Sequence, residues 1–361
     1  MRPPVLESTA YNRLFLALMA LLAGLMCIHA FGEDTKDAQP GAANPQMQAV
    51  LDELKSLDGK PIEMLDAAEA RKQPTMADAA KSLIKKQNKP NKPEPVAHID
   101  NTTLNSQPKG IPVRIYTPMG DGPFPVVVYY HGGGFVIATL DTYDASCRAL
   151  CNAAGAVVVS VDYRQAPENK YPAAVDDSFA AYQWVVNNAG SIRGDPRKIA
   201  VAGESAGGNL ATVVSMMAVE KNVQKPVFQV LIYPVVDNNL STPSYKTYAD
   251  AKPLNKAMMP WFFNNYLDND KSGGDPHVSP LKAKEADLAK LEPALIIAAQ
   301  IDPLLSEGKA YADKLKAAGV PVEYKLYDGV THEFFGLGAV VDTAKMAEAD
   351  AGAALKAAFA K

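Results

Sequence analysis

The chain has 361 residues, of which 48% are hydrophobic and 21% charged, and its formal net charge is −4. This composition is ordinary for a globular protein, and the length allows one large α/β domain with an elaboration, or two domains. The sequence shows no internal repeat and no lysine- or arginine-rich block. The charge pattern therefore argues against a nucleic-acid partner.

The N-terminal segment, residues 1–32, has the layout of a secretory signal peptide. A polar start precedes the apolar run Leu14–Ile28, and small residues follow that run. This order predicts cleavage and a periplasmic or secreted protein. The run is also near the lower length limit for spanning a bilayer, so a retained membrane anchor is the alternative. A lipid-modified Cys27, or a cytosolic protein that starts at Met47, are further alternatives.

Beyond the signal segment, the cysteines are Cys147 and Cys151, four residues apart in a segment with a helical pattern. They would share one helix face, where a disulfide across a single turn would strain the bond geometry. We therefore expect two buried thiols. The cysteines and histidines show no ligand spacing, so the sequence predicts neither a metal site nor a cofactor.

Residues 33–95 indicate a polar tether, a group of helices and a linker. The helical pattern covers Pro45–Lys86, where Met47, Val50 and Leu54 belong to one apolar stripe. The proline-rich stretch Asn88–Pro95 indicates a boundary. So few helices cannot enclose a core, and we expect them to pack on the chain that follows.

Strand and helix patterns occupy residues 96–236 and 294–361, the two predicted parts of the core. Val96–Asn101 and Ile111–Thr117, joined by a turn at Pro108–Gly110, predict an antiparallel pair at a sheet edge. Apolar strands and helices then alternate, which predicts a mostly parallel sheet covered on both faces. The later strands are Pro125–Tyr130, Ala156–Tyr163, Lys198–Ala202, Phe228–Pro234, Ala294–Ala299 and Val322–Leu326, and the early helices are Tyr143–Ala153 and Pro172–Asn188.

The alternation stops in an insertion, residues 237–293. This stretch is rich in aromatic residues, prolines and polar turns, and it is too long for a single crossover. We expect it to form helices above the sheet. These helices either cap a functional site or form a packed satellite of core aromatics.

The pentapeptide Gly203–Gly207 lies between a strand pattern and a helix pattern. A Gly-x-Ser-x-Gly sequence in this position is typical of the nucleophile elbow. The serine must hold a strained backbone, and a side chain at either glycine would collide with the neighbouring strand or helix. Ser205 is therefore the predicted nucleophile, although a pentapeptide alone is a weak signal.

A glycine-rich loop, His131–Phe135, directly follows a buried strand. Three consecutive glycines lose much conformational entropy when the chain folds, so we expect them to have a structural or functional role. A loop with unobstructed amides can bind a negative oxygen, and an oxyanion hole occurs at such a loop in α/β-hydrolases. A flexible turn is the alternative.

Two further residues complete the pattern. Asp302 follows a late strand, where an Asp-Pro pair is also a common helix start. His332 follows the last strand, which gives the order Ser, Asp, His of the α/β-hydrolases. The remaining histidines outside the signal segment, which suit that role less well, are His98, His131 and His277.

Together these segments resemble the hormone-sensitive-lipase-like esterases, family IV of the α/β-hydrolases, over nearly all of the chain after the signal segment. The resemblance implies an α/β-hydrolase fold with an eight-stranded, mostly parallel sheet and a helical cap formed by Pro45–Lys86 and the insertion. It also implies oxyanion amides at Gly133, Gly134 and Ala206. The motifs that carry it are His131–Phe135, Asp162–Glu168 with Tyr171–Ala174, Gly203–Gly208, Tyr233–Pro234, Asp302–Leu304 and His332.

Three positions depart from the family pattern. Glu204 stands where many members have aspartate, Ser306 stands where an acid is common, and Glu333 replaces a glycine after the histidine. These changes leave the substrate range and the pH optimum open. In the segment that braces the site in this family, the residues expected to be structural are Asp162, Arg164 and Glu168.

The predicted enzyme is a serine carboxylesterase, a monomer or homodimer, that acts on small esters with short to medium acyl chains. Ser205 attacks the acyl carbon, His332 serves as base and then acid, and Asp302 orients the histidine. Because His332 must be neutral, activity should rise through about pH 6 to 7. The residues predicted to line the acyl pocket are Phe135, Trp261, Phe262 and Phe263.

Three alternatives remain. A peptidase or amidase could use the same triad, because fold and triad do not fix the leaving group. A non-catalytic ligand-binding protein is known on this scaffold from the plant gibberellin receptors, which lack the catalytic histidine. An interfacial lipase is the third, although the cap aromatics suit a pocket lining better than an amphipathic lid.

Overall fold

An eight-stranded sheet organises the part of the chain that the structure describes. A computed structural model describes Met1 and residues 41–106 and 110–361. The signal segment and the tether to residue 40 lie outside these residues, as does most of the turn predicted at Pro108–Gly110. The strands are β1 (His98–Leu104), β2 (Ile111–Thr117), β3 (Phe124–Tyr130), β4 (Val157–Val161), β5 (Gly194–Glu204), β6 (Gln229–Ile232), β7 (Ala294–Ile301) and β8 (Val322–Thr331).

Helices connect and cover these strands. Short 3₁₀ helices occur at Ile62–Met64, Ala189–Ile192, Asp270–Gly274 and Pro280–Lys282. The α-helices are α1 (Pro45–Ser56), α2 (Ala67–Ala70), α3 (Met76–Lys86), α4 (Asp144–Ala154), α5 (Ala173–Asn188), α6 (Ala206–Glu220), α7 (Pro243–Thr247), α8 (Met258–Tyr266), α9 (Glu285–Leu288), α10 (Leu305–Ala317) and α11 (Asp342–Phe359).

The sheet has the strand order β1-β2-β4-β3-β5-β6-β7-β8. Strand β2 runs antiparallel to β1 and to β4, and the remaining neighbours are parallel. The predicted edge pair and the mostly parallel α/β sheet are therefore confirmed. The carboxyl ends of the parallel strands meet at one edge of the sheet, where α/β proteins place their sites.

The central strands are buried on both faces. In β3, Val126 and Val128 belong to one core cluster, whereas Val127 and Tyr129 belong to the other. This division follows from the alternation of side chains along a strand. Helices must cover both faces to enclose such a strand, which explains why apolar runs in the sequence show no polar alternation.

The N-terminal helices pack onto this core, as expected. Met47 and Val50 of α1 are fully buried in the same cluster as Tyr129. The amide of Asn44 donates to the carbonyl of Gly329 over 2.8 Å, which holds the start of α1 against β8. The described residues from 41 onward form one compact unit, so the proline-rich stretch joins two packed parts of that unit.

The insertion divides into two parts with different surroundings. In α8, Met259 and Phe262 are buried, and this helix lies over the carboxyl edge of the sheet together with residues from the N-terminal helices. The later part packs beside the sheet, where Leu288 and Leu291 join the core. The insertion residues that line the cleft at this edge fall between 252 and 263.

Both cysteines of α4, Cys147 and Cys151, are buried free thiols, which confirms the prediction. Of the helices that the structure describes, none combines the length and apolar character needed to cross a membrane.

Candidate active site

Ser205 occupies a strained turn between β5, which ends at Glu204, and α6, which begins at Ala206. Its φ of 57° and ψ of −118° are unfavourable for a non-glycine residue and persist only where the surroundings fix them. A Cβ on Gly203 would meet the carbonyl of Gly207, and a Cβ on Gly207 would meet the carbonyl of Tyr130 in β3. The close packing of strand and helix thus requires both glycines, as the sequence predicts.

The three residues predicted as a triad lie together at the carboxyl edge of the sheet. His332 Nε2 lies 2.9 Å from Ser205 Oγ, and His332 Nδ1 lies 2.7 Å from Asp302 Oδ2. Asp302 follows β7 and His332 follows β8, so two parallel neighbours bring them to the same edge. The three residues are at most 5% exposed. Such an arrangement lets the imidazole take a proton from the serine hydroxyl.

Asp302 has a second contact that also explains the sequence around it. Its Oδ1 accepts the amide of Leu304 over 2.8 Å, just before α10. The two roles considered for Asp302, a helix-start residue and an orienter of the histidine, are therefore performed by different oxygens of one carboxylate. The amide contact fixes the carboxylate so that its other oxygen faces the imidazole.

The surroundings of His332 favour its charged form. Burial by itself would lower the pKa of His332, but the carboxylate of Asp302, assisted by Glu333 and Glu204, outweighs burial and raises the pKa above its ordinary value of 6.5. A histidine that must be neutral to act as base therefore needs a higher pH than a free histidine would. We therefore expect activity to rise at a higher pH than the range that the sequence alone suggests.

The glycine loop lies next to the serine with its amides unpaired. Gly133 and Gly134 have φ values of 92° and 58°. Ala206 is the first residue of α6, where helix amides have no intrahelical acceptor. Within the described residues, the amides of Gly133, Gly134 and Ala206 donate to no protein acceptor. Three such donors near Ser205 can bind a negative oxygen.

Hydrogen bonds and ring stacking hold the glycine loop in place. The Tyr163 hydroxyl donates to the carbonyl of His131 over 2.8 Å, and the two rings stack with centroids 4.4 Å apart. Burial lowers the pKa of His131 to about 4, so its ring is neutral near pH 7. The carbonyl of Gly133 accepts the amides of Val136 and Ile137. His131 is thus a structural residue beneath the loop.

Ser205 and His332 lie in a cleft of about 1000 Å³ beneath the cap. Phe135, Phe262 and Phe263 line it as predicted, and Met258, Met259 and Val235 add to the same apolar surface. Trp261 is not among the lining residues, in contrast to the expectation. Its indole Nε1 donates to the carbonyl of Leu65 over 2.9 Å, which links the insertion to the N-terminal part of the cap.

Glu204, the residue before the serine, belongs to a buried polar network that the sequence did not reveal. Tyr129 donates to its Oε1 over 2.5 Å, and Tyr233 donates to its Oε2. Burial and the nearby Glu333 raise the pKa of Glu204 to about 8, although the hydroxyl contacts oppose this shift. The side chain is therefore largely protonated near neutral pH. The signal for this network in the sequence was an acidic residue placed between a buried strand and the serine.

Glu333 lies beside the triad and lines the cleft. Its Oε1 accepts the hydroxyl of Tyr143 over 2.6 Å and lies 3.9 Å from His332 Nε2. Its φ is 64°, a conformation that glycine adopts at lower cost. The departure from the family pattern thus places an acidic side chain on the side of the imidazole that faces Ser205.

The bracing segment forms ion pairs behind the site. Arg164 binds Asp177 through two nitrogens, at 2.8 and 2.7 Å. Glu168 pairs with Arg71 of the cap at 2.7 Å. Arg71 also donates to the carbonyls of Val136 and Ala166, each over 2.8 Å. These contacts fit the structural roles expected of Arg164 and Glu168, and Arg71 is a cap anchor that sequence reasoning missed.

Ser306, the second departure, also has a structural contact. Its Oγ accepts the amide of Ser244 over 3.0 Å. The neighbouring Glu307 is buried and accepts the amide of Val236 over 2.9 Å. The acid at Glu307 therefore holds the chain after β6 within reach of the site. Among the described residues, no group of histidine, cysteine and acidic side chains is arranged to hold a metal ion.

The fold, the elbow and the order of the three clustered residues are those of an α/β hydrolase. A sequence model described as α/β hydrolase fold matches residues 127–336, more than half of the chain. The protein therefore belongs to this family, and the resemblance to its hormone-sensitive-lipase-like branch is confirmed.

Several curated relatives of the chain are named as ester hydrolases. Carboxylesterase NlhH of Mycobacterium tuberculosis is 39% identical over 324 residues, which cover 89% of this chain and 99% of the relative. An ethyl acetate hydrolase of Pseudomonas putida is 35% identical, covering 83% and 94%. Among solved structures, a thermostable Pseudomonas putida esterase has a TM-score of 0.80 at 35% identity, covering 89% of this chain and 98% of that chain.

Proposed function

We propose that the protein is a carboxylesterase that hydrolyses esters with short to medium acyl chains through Ser205, His332 and Asp302. The observation that carries this proposal is the buried chain of contacts from Ser205 Oγ to His332 Nε2 (2.9 Å) and from His332 Nδ1 to Asp302 Oδ2 (2.7 Å). The ester-hydrolase names of its relatives support the same reaction class.

In the proposed reaction, His332 removes the proton of Ser205 as its Oγ attacks the acyl carbon. The resulting imidazolium gives this proton to the leaving alcohol, and an acyl-enzyme remains. Water then attacks the acyl-enzyme while His332 takes its proton; the bond to Ser205 Oγ breaks, His332 returns that proton to Oγ, and the acid product is released. Asp302 holds the imidazole in one tautomer and stabilises its charged form.

The amides of Gly133, Gly134 and Ala206 are the proposed donors to the tetrahedral oxyanion. They need no reorganisation, because the loop and the start of α6 already leave them unpaired. Each donor of this kind contributes about 3 kcal/mol to the transition state in comparable sites. Ala206 adds the positive end of the α6 dipole.

The proposed acyl pocket is the apolar surface of Phe135, Phe262 and Phe263. Phe135 is fixed by stacking on Tyr266, with ring centroids 3.9 Å apart and an interplanar angle of 6°. A rigid aromatic wall below a cap suits an acyl chain that fits within the cleft. Rates measured along a series of p-nitrophenyl esters from acetate to laurate test this, with a maximum expected at short to medium chains.

The central test is the Ser205→Ala variant assayed with p-nitrophenyl butyrate. We expect kcat to fall by at least about 10⁴-fold, because the nucleophile is removed. The Ser191→Ala variant, which changes an exposed side chain on a 3₁₀ helix, is the matched control and should retain full activity. Near wild-type turnover by Ser205→Ala would contradict the proposal.

The rival reaction classes need separate measurements. Matched butyryl ester and anilide substrates distinguish an esterase from an amidase, and we expect the ester to react far faster. An interfacial lipase would show a sharp rise in rate when its substrate forms micelles, which this buried cleft does not require. A non-catalytic binding protein would turn over neither substrate.

We also propose that the protein is exported, on the basis of the signal-peptide pattern in residues 1–32. N-terminal sequencing of the protein recovered from cell fractions is the test. A mature N-terminus near residue 33 in the periplasmic or secreted fraction supports export. An intact N-terminus in the membrane fraction would favour the anchor, and a start at Met47 would place the protein in the cytosol.

A further inference from the structure

The side chain of Glu333 is an acidic group in the cleft that takes no part in the proton transfers proposed for ester hydrolysis. Its side chain is 22% exposed and lines the cleft with Ser205 and His332. In the part of the chain that the structure describes, His332 is the only basic residue within ion-pair distance of this carboxylate. The cleft therefore contains an acidic group that has no ion-pair partner other than His332 among the described residues and can be contacted by a ligand.

The position of this charge is set by the backbone and by a tyrosine. Glu333 adopts a φ of 64°, which a glycine would hold at lower cost. The Tyr143 hydroxyl donates to its Oε1 over 2.6 Å and so restrains the position of the carboxyl group. Such a strained and anchored acid suggests a function for the side chain itself.

The location of Glu333 relative to His332 decides which part of a substrate it meets. Its Oε1 lies 3.9 Å from Nε2, the nitrogen that hands a proton to the leaving alcohol. The alcohol oxygen must come within hydrogen-bond distance of Nε2 for that transfer. A substituent on the alcohol, close to the ester oxygen, would therefore lie next to Glu333, whereas the acyl chain lies against Phe135 and Phe262.

The cleft surface around Glu333 is also polar. Thr139, Asp141 and Thr142 line it beside Tyr143, and Asp141 is paired with Arg114 at 2.8 Å. The same cleft is lined by apolar side chains, among them Phe135 and Phe262, and by basic residues of the cap and the insertion, among them Arg71, Lys72 and Lys252. Glu333 differs from the other charged residues of this lining because it lies 3.9 Å from His332 Nε2, where the leaving alcohol must be.

We propose that Glu333 forms a subsite for a cationic alcohol, so that the enzyme prefers esters whose alcohol carries an ammonium group a few atoms from the ester oxygen. This inference rests on the proposed esterase function and names the alcohol class. Burial raises the pKa of Glu333, which His332 and the Tyr143 hydroxyl oppose. A cation bound beside the carboxylate further favours its charged form.

The test compares two butyrate esters of the same shape, butyrylcholine and 3,3-dimethylbutyl butyrate. The first has a positively charged quaternary nitrogen where the second has a neutral quaternary carbon. At about pH 7.5, above the ordinary carboxyl range, we expect the wild-type kcat/KM to be about tenfold higher for the cation, the size of one ion pair in a partly desolvated site. Raising the salt concentration should reduce this preference.

The Glu333→Gln variant should lose the preference while it retains the shape of the side chain. The ratio of the two kcat/KM values cancels any change in His332 itself, because both substrates use the same base. Glu333→Gly, which suits the positive φ, provides a second variant that removes the carboxylate. Glu63→Gln is the matched control, since Glu63 also lines the cleft but lies in the cap, and it should leave the ratio unchanged.

A wild-type ratio near one, or no turnover of either alcohol ester, would overturn the subsite. A tenfold ratio that persists in both Glu333 variants would overturn it as well. Failure of the esterase function itself is recognised separately, because the wild type would then also fail to hydrolyse p-nitrophenyl butyrate in a manner that depends on Ser205.

Discussion

The ring of Tyr233 packs against the imidazole of His332, with centroids 4.5 Å apart, while its hydroxyl donates to the buried side chain of Glu204. The residue that precedes Ser205 is thereby linked to the residue proposed as the base. Tyr129, from the adjacent strand β3, occupies the other oxygen of Glu204. The elbow and the histidine therefore share one polar anchor beneath the site.

Replacing Glu204 by alanine should destabilise the protein and disturb the site. Two buried hydroxyls, those of Tyr129 and Tyr233, would lose their acceptor, and each unsatisfied group costs about 1–3 kcal/mol. We expect a clear loss in the free energy of unfolding and a fall in kcat through the misplaced His332. Glu204→Gln, which keeps an acceptor, should lose much less of both. Denaturant unfolding and p-nitrophenyl butyrate kinetics measure the two effects, and an unchanged stability of Glu204→Ala would refute the anchor.

The pH dependence of stability should also report on Glu204. Its pKa of about 8 in the folded state lies above the ordinary 4.5, so the folded protein binds this proton more tightly than the unfolded chain does. Its contribution is complete below pH 4.5 and is lost as the pH rises through about 8.

The measurement compares denaturant unfolding of wild type and Glu204→Gln between about pH 5 and 8. The stability of the wild type should fall relative to that of the variant, by an amount on the order of 3 kcal/mol. Parallel pH profiles for the two proteins would show that Glu204 does not hold its proton in the folded state.

The pH–rate profile should reflect the carboxylates around His332. Its pKa is raised above 6.5, and the base must be neutral to act, so the acid limb of kcat/KM should lie above that value. Glu333→Gln removes one of the negative charges that support the imidazolium, and its acid limb should move to lower pH. An acid limb at or below pH 6.5 in the wild type, or no displacement in the variant, would contradict this electrostatic account.

The residues proposed for catalysis were predictable because their chemistry restricts the sequence. Ser205 needs glycines on both sides, and Asp302 and His332 must follow late parallel strands. The motif and the order of these residues along the chain are therefore enough to identify them. The central strands were predictable for a similar reason, since burial on both faces demands continuous apolar runs. The predicted strand ends were less accurate. The strand predicted at Ala156–Tyr163 ends at Val161 in the structure, because pairing with β3 stops there although the chain beyond it is still partly apolar.

Contacts between distant segments could not be predicted. The anchor of Glu204 combines Tyr129 of β3 and Glu204 of β5 with Tyr233, which directly follows β6, and only the folded sheet brings these residues together. The orientation of Trp261 was also hidden, because Met258–Phe263 is apolar or aromatic on every side, apart from its proline, and shows no helical stripe. The pairing of Arg71 with Glu168 joins segments 97 residues apart, and neither side chain differs from an ordinary surface charge in the sequence.

Asp302→Asn should lower kcat strongly while the fold is retained. The amide could still contact the Leu304 amide through its oxygen, but it would favour the wrong tautomer of His332 and would not stabilise the imidazolium. We expect a loss of about 10³–10⁴-fold in kcat with little change in KM. Asp313→Asn, in an exposed pair with Lys309, is the matched control and should be silent. A loss smaller than tenfold would mean that Asp302 is only a helix-start residue.

Arg71 should govern how firmly the cap closes the cleft. It connects the cap to the carbonyls of Val136 and Ala166 and pairs with Glu168, so it fixes α2 beside the glycine loop. Removing this side chain in Arg71→Ala should loosen the cap and raise KM several-fold, with a smaller effect on kcat because the triad lies on the sheet. Glu168→Gln should have a weaker effect, since Arg71 keeps both carbonyl contacts.

The control for the cap prediction is Lys72→Ala, the adjacent residue, whose salt bridge is to the cap residue Glu69 and which is 67% exposed. Steady-state kinetics on a medium-chain p-nitrophenyl ester, together with limited proteolysis of residues 57–75, would compare the variants. We expect faster cleavage of this segment in Arg71→Ala than in Lys72→Ala, because only the first variant releases the cap from the core. Equal KM values and equal cleavage rates in the two variants would show that Arg71 does not anchor the cap.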